Sequence, residues 1–333
     1  MRTRQIGQGL ATVVGCGDVR LATAAARGRD RSDVTRALHE ALSFGIKLVE
    51  VSEEADAERL CGDAIRTLRL RDTVVLASRM NTVPPIPGRP NRDVLPERLP
   101  AGYVQERIEA TLRTTKLDAI PLVQLPVRAA WRASTAWPEL AGMCARLARE
   151  GKVMHYAAFL DEVEGAEEFV NEPWLVALNV EYNACNRAAA PLLDGKVPLL
   201  ARHPLAGGAL AGMLGPSVRL TPRDDRRAID ERTLERVAAA IATLTPLVKR
   251  ESPAARSCEA AKAALERAGK RGEDIEVTNV AELALRYVCD RAIALPRLHD
   301  HQHLADAIVA ASAPPLSQQL RDRIDEVLAQ PKP

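Results

Sequence analysis

The chain has 333 residues, enough for two average domains or one large α/β barrel. Hydrophobic residues make up 47% and supply a substantial core, whereas aromatics at 3% leave no stacking platform for nucleic acid. The net charge of +2 comes from interspersed acids and bases, so no basic face points to a nucleic-acid partner either.

In chain order, MRTRQIGQGL reads as a hairpin that covers one end of the fold. It contains no apolar run long enough for a signal peptide, and no later stretch is long enough to span a membrane. The six cysteines, Cys16, Cys61, Cys144, Cys185, Cys258 and Cys289, are scattered without a CxxC pair. That spacing indicates neither a zinc ribbon nor a disulfide framework, and reduced thiols in a cytoplasmic protein are the expectation.

Eight short apolar segments follow: TVVGCG (12–17), KLVEVS (47–52), TVVLASRM (73–80), IPLVQLP (120–126), KVMHYAAF (152–159), LVALNVEYN (175–183), VPLLARHP (197–204) and AIALPRL (292–298). Rich in Val, Leu, Ile and Ala without strict alternation, they read as parallel strands buried on both faces. Amphipathic helical patterns lie between them. The pattern at 32–45 opens on a Ser/Asp cap and closes at Gly45; another spans 57–69. A third, at 138–151, has Pro138 near its start and Gly151 at its end. Eight strands with helical crossovers predict a (β/α)8 TIM barrel, one domain over 1–333. A doubly wound sheet is the alternative, weakened because no GxGxxG follows the first strand.

Two long segments, 81–102 and 211–230, follow the third and seventh strands. Loops after barrel strands lie on the active-site face, so both are expected to build a substrate pocket. The HDHQH run (299–303) reads as a solvated helix start, its histidines on diverging faces, and no metal site is expected.

The order and spacing of these fragments resemble the aldo-keto reductase superfamily over essentially the whole chain. MRTRQIGQGLATVVGCGDVRLA resembles its opening hairpin and first strand. RALHEALSFGIKLVEVSEEADAERLCGDAI resembles its first helix, second strand and second helix, while HPLAGGALAG and VAELALRYVCDRAIALPRLHDHQHLADAIVAA resemble its seventh and eighth strand regions. The resemblance implies a barrel of that type with an N-terminal hairpin and NAD(P)H-dependent carbonyl chemistry.

Residue by residue, the resemblance places changes at the implied site. Glu50 stands for the strand-two Asp, Ala55 for the general-acid Tyr, Arg79 for the strand-three Lys and Pro126 for the strand-four His. On the cofactor side, Phe159 and Leu160 stand for the Ser-Asn pair, Asn179 for a Gln, and Arg202 and His203 for an aromatic-Ser pair. Pro296, Arg297, Leu298 and His299 stand for the Pro-Gly-Ala-Arg turn. Alanine has no proton to donate, and an always-charged arginine is a poor proton shuttle.

Asp18, Glu50, Ser52, Arg79, Gln124, Arg128, Asn179, Arg202 and His203 all fall near C-terminal strand ends, and His155 shares the strand parity of Phe159. The expectation is a rebuilt polar pocket. Glu50, Arg79 and His203 are its catalytic candidates. Asp18, Ser52, Gln124, Arg128, His155, Asn179 and Arg202 are its substrate-binding candidates for a polar, anionic or heterocyclic small molecule. Glu50 and Arg79 also read as a structural ion pair, and His155 as a core histidine. The main functional expectation is a repurposed enzyme working without NAD(P)H or any other cofactor, by acid–base chemistry or cofactor-free oxidation. The alternatives are a non-catalytic binding protein and an atypical NADPH-dependent carbonyl reductase.

Overall fold

Strands β1 (Thr3–Ile6) and β2 (Gly9–Thr12) pair antiparallel around Gly7, whose φ of +56° suits a residue without a Cβ. In this computed structural model the described residues are 1–84, 93–214, 220–248, 257–271, 277–298 and 301–329. The hairpin is the expected one.

Eight parallel strands follow: β3 (Cys16–Val19), β4 (Leu48–Ser52), β5 (Val75–Arg79), β6 (Ile120–Pro126), β7 (Val153–Phe159), β8 (Leu175–Glu181), β9 (Leu199–Arg202) and β10 (Ile293–Leu295). They pair in sequence order from β3 to β10. Val13–Gly17 bring the two edges together. The Ala294 amide donates to the Val13 carbonyl (2.8 Å), Gly15 donates to Ala294 (2.9 Å), and Gly17 donates to Pro296 (2.8 Å). The result is the (β/α)8 barrel, not a doubly wound sheet. The first ladder strand begins at Cys16 rather than at residue 12, because Thr12 is still paired in the hairpin.

The helix Arg31–Ser43 starts one turn-signal earlier than expected. Asp30, not Ser32, is its cap, accepting from the Asp33 amide while Asp33 accepts from Asp30 in a reciprocal capping box. The other two patterns form helices Ala55–Thr67 and Trp137–Arg149. No described helix is long and apolar enough to cross a membrane. The cysteines are free, and burial pushes the Cys16 thiol up to about 12, which keeps it protonated and inert.

Inside the barrel, side chains stack in layers. The lower layer is apolar: Leu48, Ala77, Leu122, Ala157, Ala177, Leu200 and Ile293, closed from below by Ile6 and Ala11 of the hairpin. One inward position further along β4, β6 and β8 stand Glu50, Gln124 and Asn179. The barrel interior thus changes from apolar to polar within one layer, toward the C-terminal strand ends where such barrels place their sites.

The segment 81–102 is not one continuous loop. It contains the helix Leu95–Arg98 and the start of the helix Ala101–Thr115, with Leu95 and Leu99 buried; residues 85–92 lie outside the described residues. The segment 211–230 contains a 3-10 turn, Asp225–Ala228, and residues 215–219 lie outside the described ones. Of the HDHQH run, residues 299 and 300 are also outside, and a helix begins at His301.

Candidate active site

The polar layer is built around Glu50, which is 2% exposed. Its carboxylate accepts from the Asp18 amide (3.0 Å), Gln124 Nε2 (3.0 Å) and Asn179 Nδ2 (2.7 Å). Asn179 Nδ2 also donates to Gln124 Oε1 (2.6 Å). A carboxylate has lone pairs for all three donors, so a group that would be costly alone is satisfied in the barrel core.

Asp18 sits above Glu50 at the end of β3, with φ +45°, uncommon for a residue with a Cβ. Arg79 Nη2 donates to Asp18 Oδ1 (2.8 Å), Arg297 donates to Oδ2, and Ser52 Oγ donates to Oδ1 while accepting from Arg79 and Arg20. Burial opposes ionisation of Asp18, but Arg297, Arg79 and Arg20 outweigh it and hold the carboxyl well below the usual range. The ion pair expected between Glu50 and Arg79 is therefore replaced: the arginine's partner is Asp18, and Glu50 is held by amides.

Phe159 ends β7. The guanidinium carbons of Arg79 and Arg202 lie over its ring, 4.6 and 4.4 Å from the centroid, within cation–π range. Arg202 donates to the main-chain oxygens of Asp161 (3.2 Å) and Asn179 (3.5 Å), and its nearest carboxylate is Asp161 at 3.9 Å. His203 follows with φ +51°. Its Nδ1 is 3.7 Å from Glu181 Oε2. The neighbouring His203 imidazole lowers the Glu181 carboxyl against the opposing effect of burial.

These side chains line a cavity of about 850 Å³ over the C-terminal strand ends. Asp18, Glu50, Arg79, Arg202 and His203 all line it. Ser52, Gln124 and Asn179 do not line it; they lie beneath, bonded to residues that do. Two expectations are corrected. Arg128 is outside the cavity, paired with Asp93 (2.9 Å) and Glu162 (3.7 Å), because it lies past the end of β6 on the outer rim. His155 faces the opposite end of the barrel, where its Nε2 accepts from the Gln8 amide (3.1 Å) and its ring packs on Gly7. Its parity was right, but its depth put it under the hairpin. Of the two long segments, among the described residues only the second contributes, through Met213, Arg226, Ile229 and Asp230.

Sequence reasoning missed Arg20, Arg27, Arg29, Glu181 and Arg236, all of which line the cavity. A signal was present: Arg20, Arg27 and Arg29 follow the first strand, on the face where barrel sites are built. None of the four tyrosines lines the cavity. Tyr156 packs in the helix–sheet layer, and Tyr182 stacks on Tyr287 with centroids 6.3 Å apart.

The part of the cavity beyond β9 is lined by a glycine turn and arginines. Gly207 and Gly208 turn there with φ of +68° and +96°, Arg236 donates to the Cys185 carbonyl (3.1 Å), and Arg297 and His303 close the opposite wall. Arg226 Nη1 is the guanidinium nearest the turn, 3.8 Å from the Cβ position of Gly208, and guanidinium groups with backbone amides are donors suited to phosphate. Among the described residues no group of His, Cys, Asp and Glu is arranged to hold a metal ion.

The sequence profile of the aldo/keto reductase family matches residues 13–329, and the chain belongs to that family. Solved structures with the same barrel include a glycerol dehydrogenase from Gluconobacter oxydans, 19% identical, with a TM-score of 0.69 over 98% of this chain and 95% of that one. An aldo-keto reductase from Bacillus halodurans in its holo form is 18% identical, with a TM-score of 0.64 over 98% and 96%. An aldo-keto reductase from Klebsiella pneumoniae in complex with NADPH is 19% identical, with a TM-score of 0.62 over 100% and 96%. No curated protein sequence matches the chain. The family, and the NADP- and NADPH-bound neighbours, overturn the expectation of cofactor-free chemistry.

Proposed function

We propose that this protein is an NADPH-dependent oxidoreductase that reduces a carbonyl compound, with an atypical proton donor. The observation that carries the reading is the cavity of a barrel of this family, lined beyond β9 by the Gly207–Gly208 turn, Arg226 and Arg236. Arg236 and the backbone of the glycine turn would hold the phosphates. When bound, the nicotinamide supplies the hydride.

The chain's own residues supply the rest. Arg79, fixed by Asp18 and Ser52, presents a permanent positive charge to a carbonyl oxygen and polarises it. Because Arg79 does not give up a proton, the donor is a different group. His203, backed by Glu181, is the candidate, and a positioned general acid contributes about 10²–10⁴-fold. Glu50 holds the Asp18 backbone, and through it the position of Arg79, rather than touching substrate. Phe159 and Leu295 give the cavity floor its apolar surface.

The test is calorimetric titration with NADPH and NADH, followed by turnover of a carbonyl panel. Micromolar or tighter NADPH binding that weakens in Arg236→Glu is the expected result. A folded protein that binds neither nucleotide overturns the reading.

A further inference from the structure

Four guanidinium groups, Arg20, Arg79, Arg202 and Arg297, converge on the cavity floor. Arg20, Arg79 and Arg297 all reach the carboxylate of Asp18. Glu50, the other buried acid, is occupied by the Asp18 amide and two side-chain amides. Arg202 is the outlier. Its side chain is 12% exposed, its hydrogen bonds end on main-chain oxygens, and its nearest carboxylate, on Asp161, is 3.9 Å away and 65% exposed.

Arg202 and Arg79 approach Phe159 from β9 and β5, the strands two places to either side of β7. Two like charges over one ring repel, and burying each of them is costly. Burial lowers the Arg202 pKa, and Asp161 and Glu181 only partly offset it. Among the described residues the carboxylate in close contact with this half-buried pair is Asp18, on Arg79, which leaves Arg202 open to an anion, and guanidinium geometry favours a carboxylate.

We propose that the substrate is an oxo acid, a carbonyl compound whose carboxylate seats on Arg202 beside Phe159 and leaves Arg79 for the carbonyl oxygen. The inference rests on the nicotinamide-dependent reading for its chemistry. The carbonyl carbon takes a hydride from the reduced nicotinamide, its C=O π electrons pass to oxygen, and the oxygen takes one proton. The products are a hydroxy acid and the oxidised nicotinamide. The carboxylate stays unchanged as the anchor, and the phosphate-facing residues Arg236 and Gly207–Gly208 lie on the other side of the cavity's polar centre.

The experiment compares phenylglyoxylate and 4-carboxybenzaldehyde with their methyl esters. NADPH oxidation gives kcat/KM for each, and calorimetry without nucleotide measures carboxylate binding directly. At least one acid is expected to exceed its ester tenfold in kcat/KM, chiefly through KM. The preference should fall about tenfold in Arg202→Gln and be largely kept in Arg202→Lys. Phenylglyoxylate or 4-carboxybenzaldehyde should bind without nucleotide to the wild type and not to Arg202→Gln. Esters used as well as both acids, or acid preference surviving Arg202→Gln, overturns the oxo-acid assignment. If no NADPH is oxidised yet a carboxylate binds through Arg202, the nicotinamide reading fails and the anion site stands. If neither acid binds to the folded protein, the anion site falls.

Discussion

Across the barrel, Asn179 Nδ2 on β8 donates to Glu50 Oε1 on β4 at 2.7 Å. Gln124 on β6 bonds to both, so three alternate strands are tied by side chains in one layer. Glu50→Ala would remove the acceptor of the Asp18 amide and of Gln124 Nε2, and one of the two acceptors of Asn179 Nδ2. Each unsatisfied buried donor costs about 1–3 kcal/mol, so urea unfolding should show a loss of about 3 kcal/mol or more. Glu50→Gln keeps one acceptor and should lose less. An unchanged unfolding midpoint for Glu50→Ala would mean that the network is not holding the layer together.

Asp18 carries a pH signature. Its folded carboxyl is held below the ordinary value by the arginines around it, despite its burial. A depressed pKa contributes stability that is complete above the unfolded value of about 3.9 and is lost as pH falls through the folded one. Asp18→Asn leaves three arginines facing a neutral group, and breaking a buried charge set costs about 3–5 kcal/mol. The stability gap between wild type and variant should be constant above about pH 5 and narrow below about pH 3.9. A gap that widened toward acid would contradict this assignment.

Two glycines make a paired test of helix packing. In the helix Ala55–Thr67, a Cβ on Gly62 would stand 2.3 Å from the Thr115 carbonyl oxygen and 2.7 Å from its Cα. That neighbour is backbone and cannot swing aside, so Gly62→Ala should destabilise by about 1–3 kcal/mol. Gly142, in the helix Trp137–Arg149, has nothing within 4 Å of its Cβ position and no positive φ. Gly142→Ala should stabilise by about 0.5–1 kcal/mol. Thermal melts of both variants check the opposite signs.

How much could be read from the chain alone follows from what each feature depends on. The strands were legible because burial on both faces leaves continuous apolar runs such as LVALNV (175–180). The inward residues of β4, β5 and β9, including Glu50, Arg79 and Arg202, were legible from strand parity and the rule that barrel sites lie at C-terminal ends. Depth along a strand was not, because parity repeats every second residue; His155 shares the inward face of Phe159 yet lies two steps lower. Pairing was not legible either. Glu50 and Arg79 stand on adjacent strands, but Asp18, from a third strand in a left-handed conformation, took the arginine. The nicotinamide expectation failed for a different reason. It weighed changed contacts at the strand ends and overlooked arginines after the first strand and on the helix Glu231–Leu244 that line the same cavity.

His155 gives the last prediction. Its Nε2 accepts from the Gln8 amide (3.1 Å), which requires that nitrogen to be unprotonated, and burial lowers its pKa from the ordinary 6.5. The folded hairpin therefore disfavours the imidazolium. The sign follows from proton counting: between the two pKa values the unfolded state binds more protons, so stability rises with pH there. As pH falls below about 6.5, the hairpin's hold on the barrel floor should weaken, and it should keep weakening down to the folded value. Amide exchange at Gln8, corrected for its intrinsic rate, should show protection falling as pH drops through this window. In His155→Ala protection should be low at every pH, because the acceptor is gone. If Gln8 protection is flat with pH in the wild type, the imidazole is not what pins the turn at Gly7.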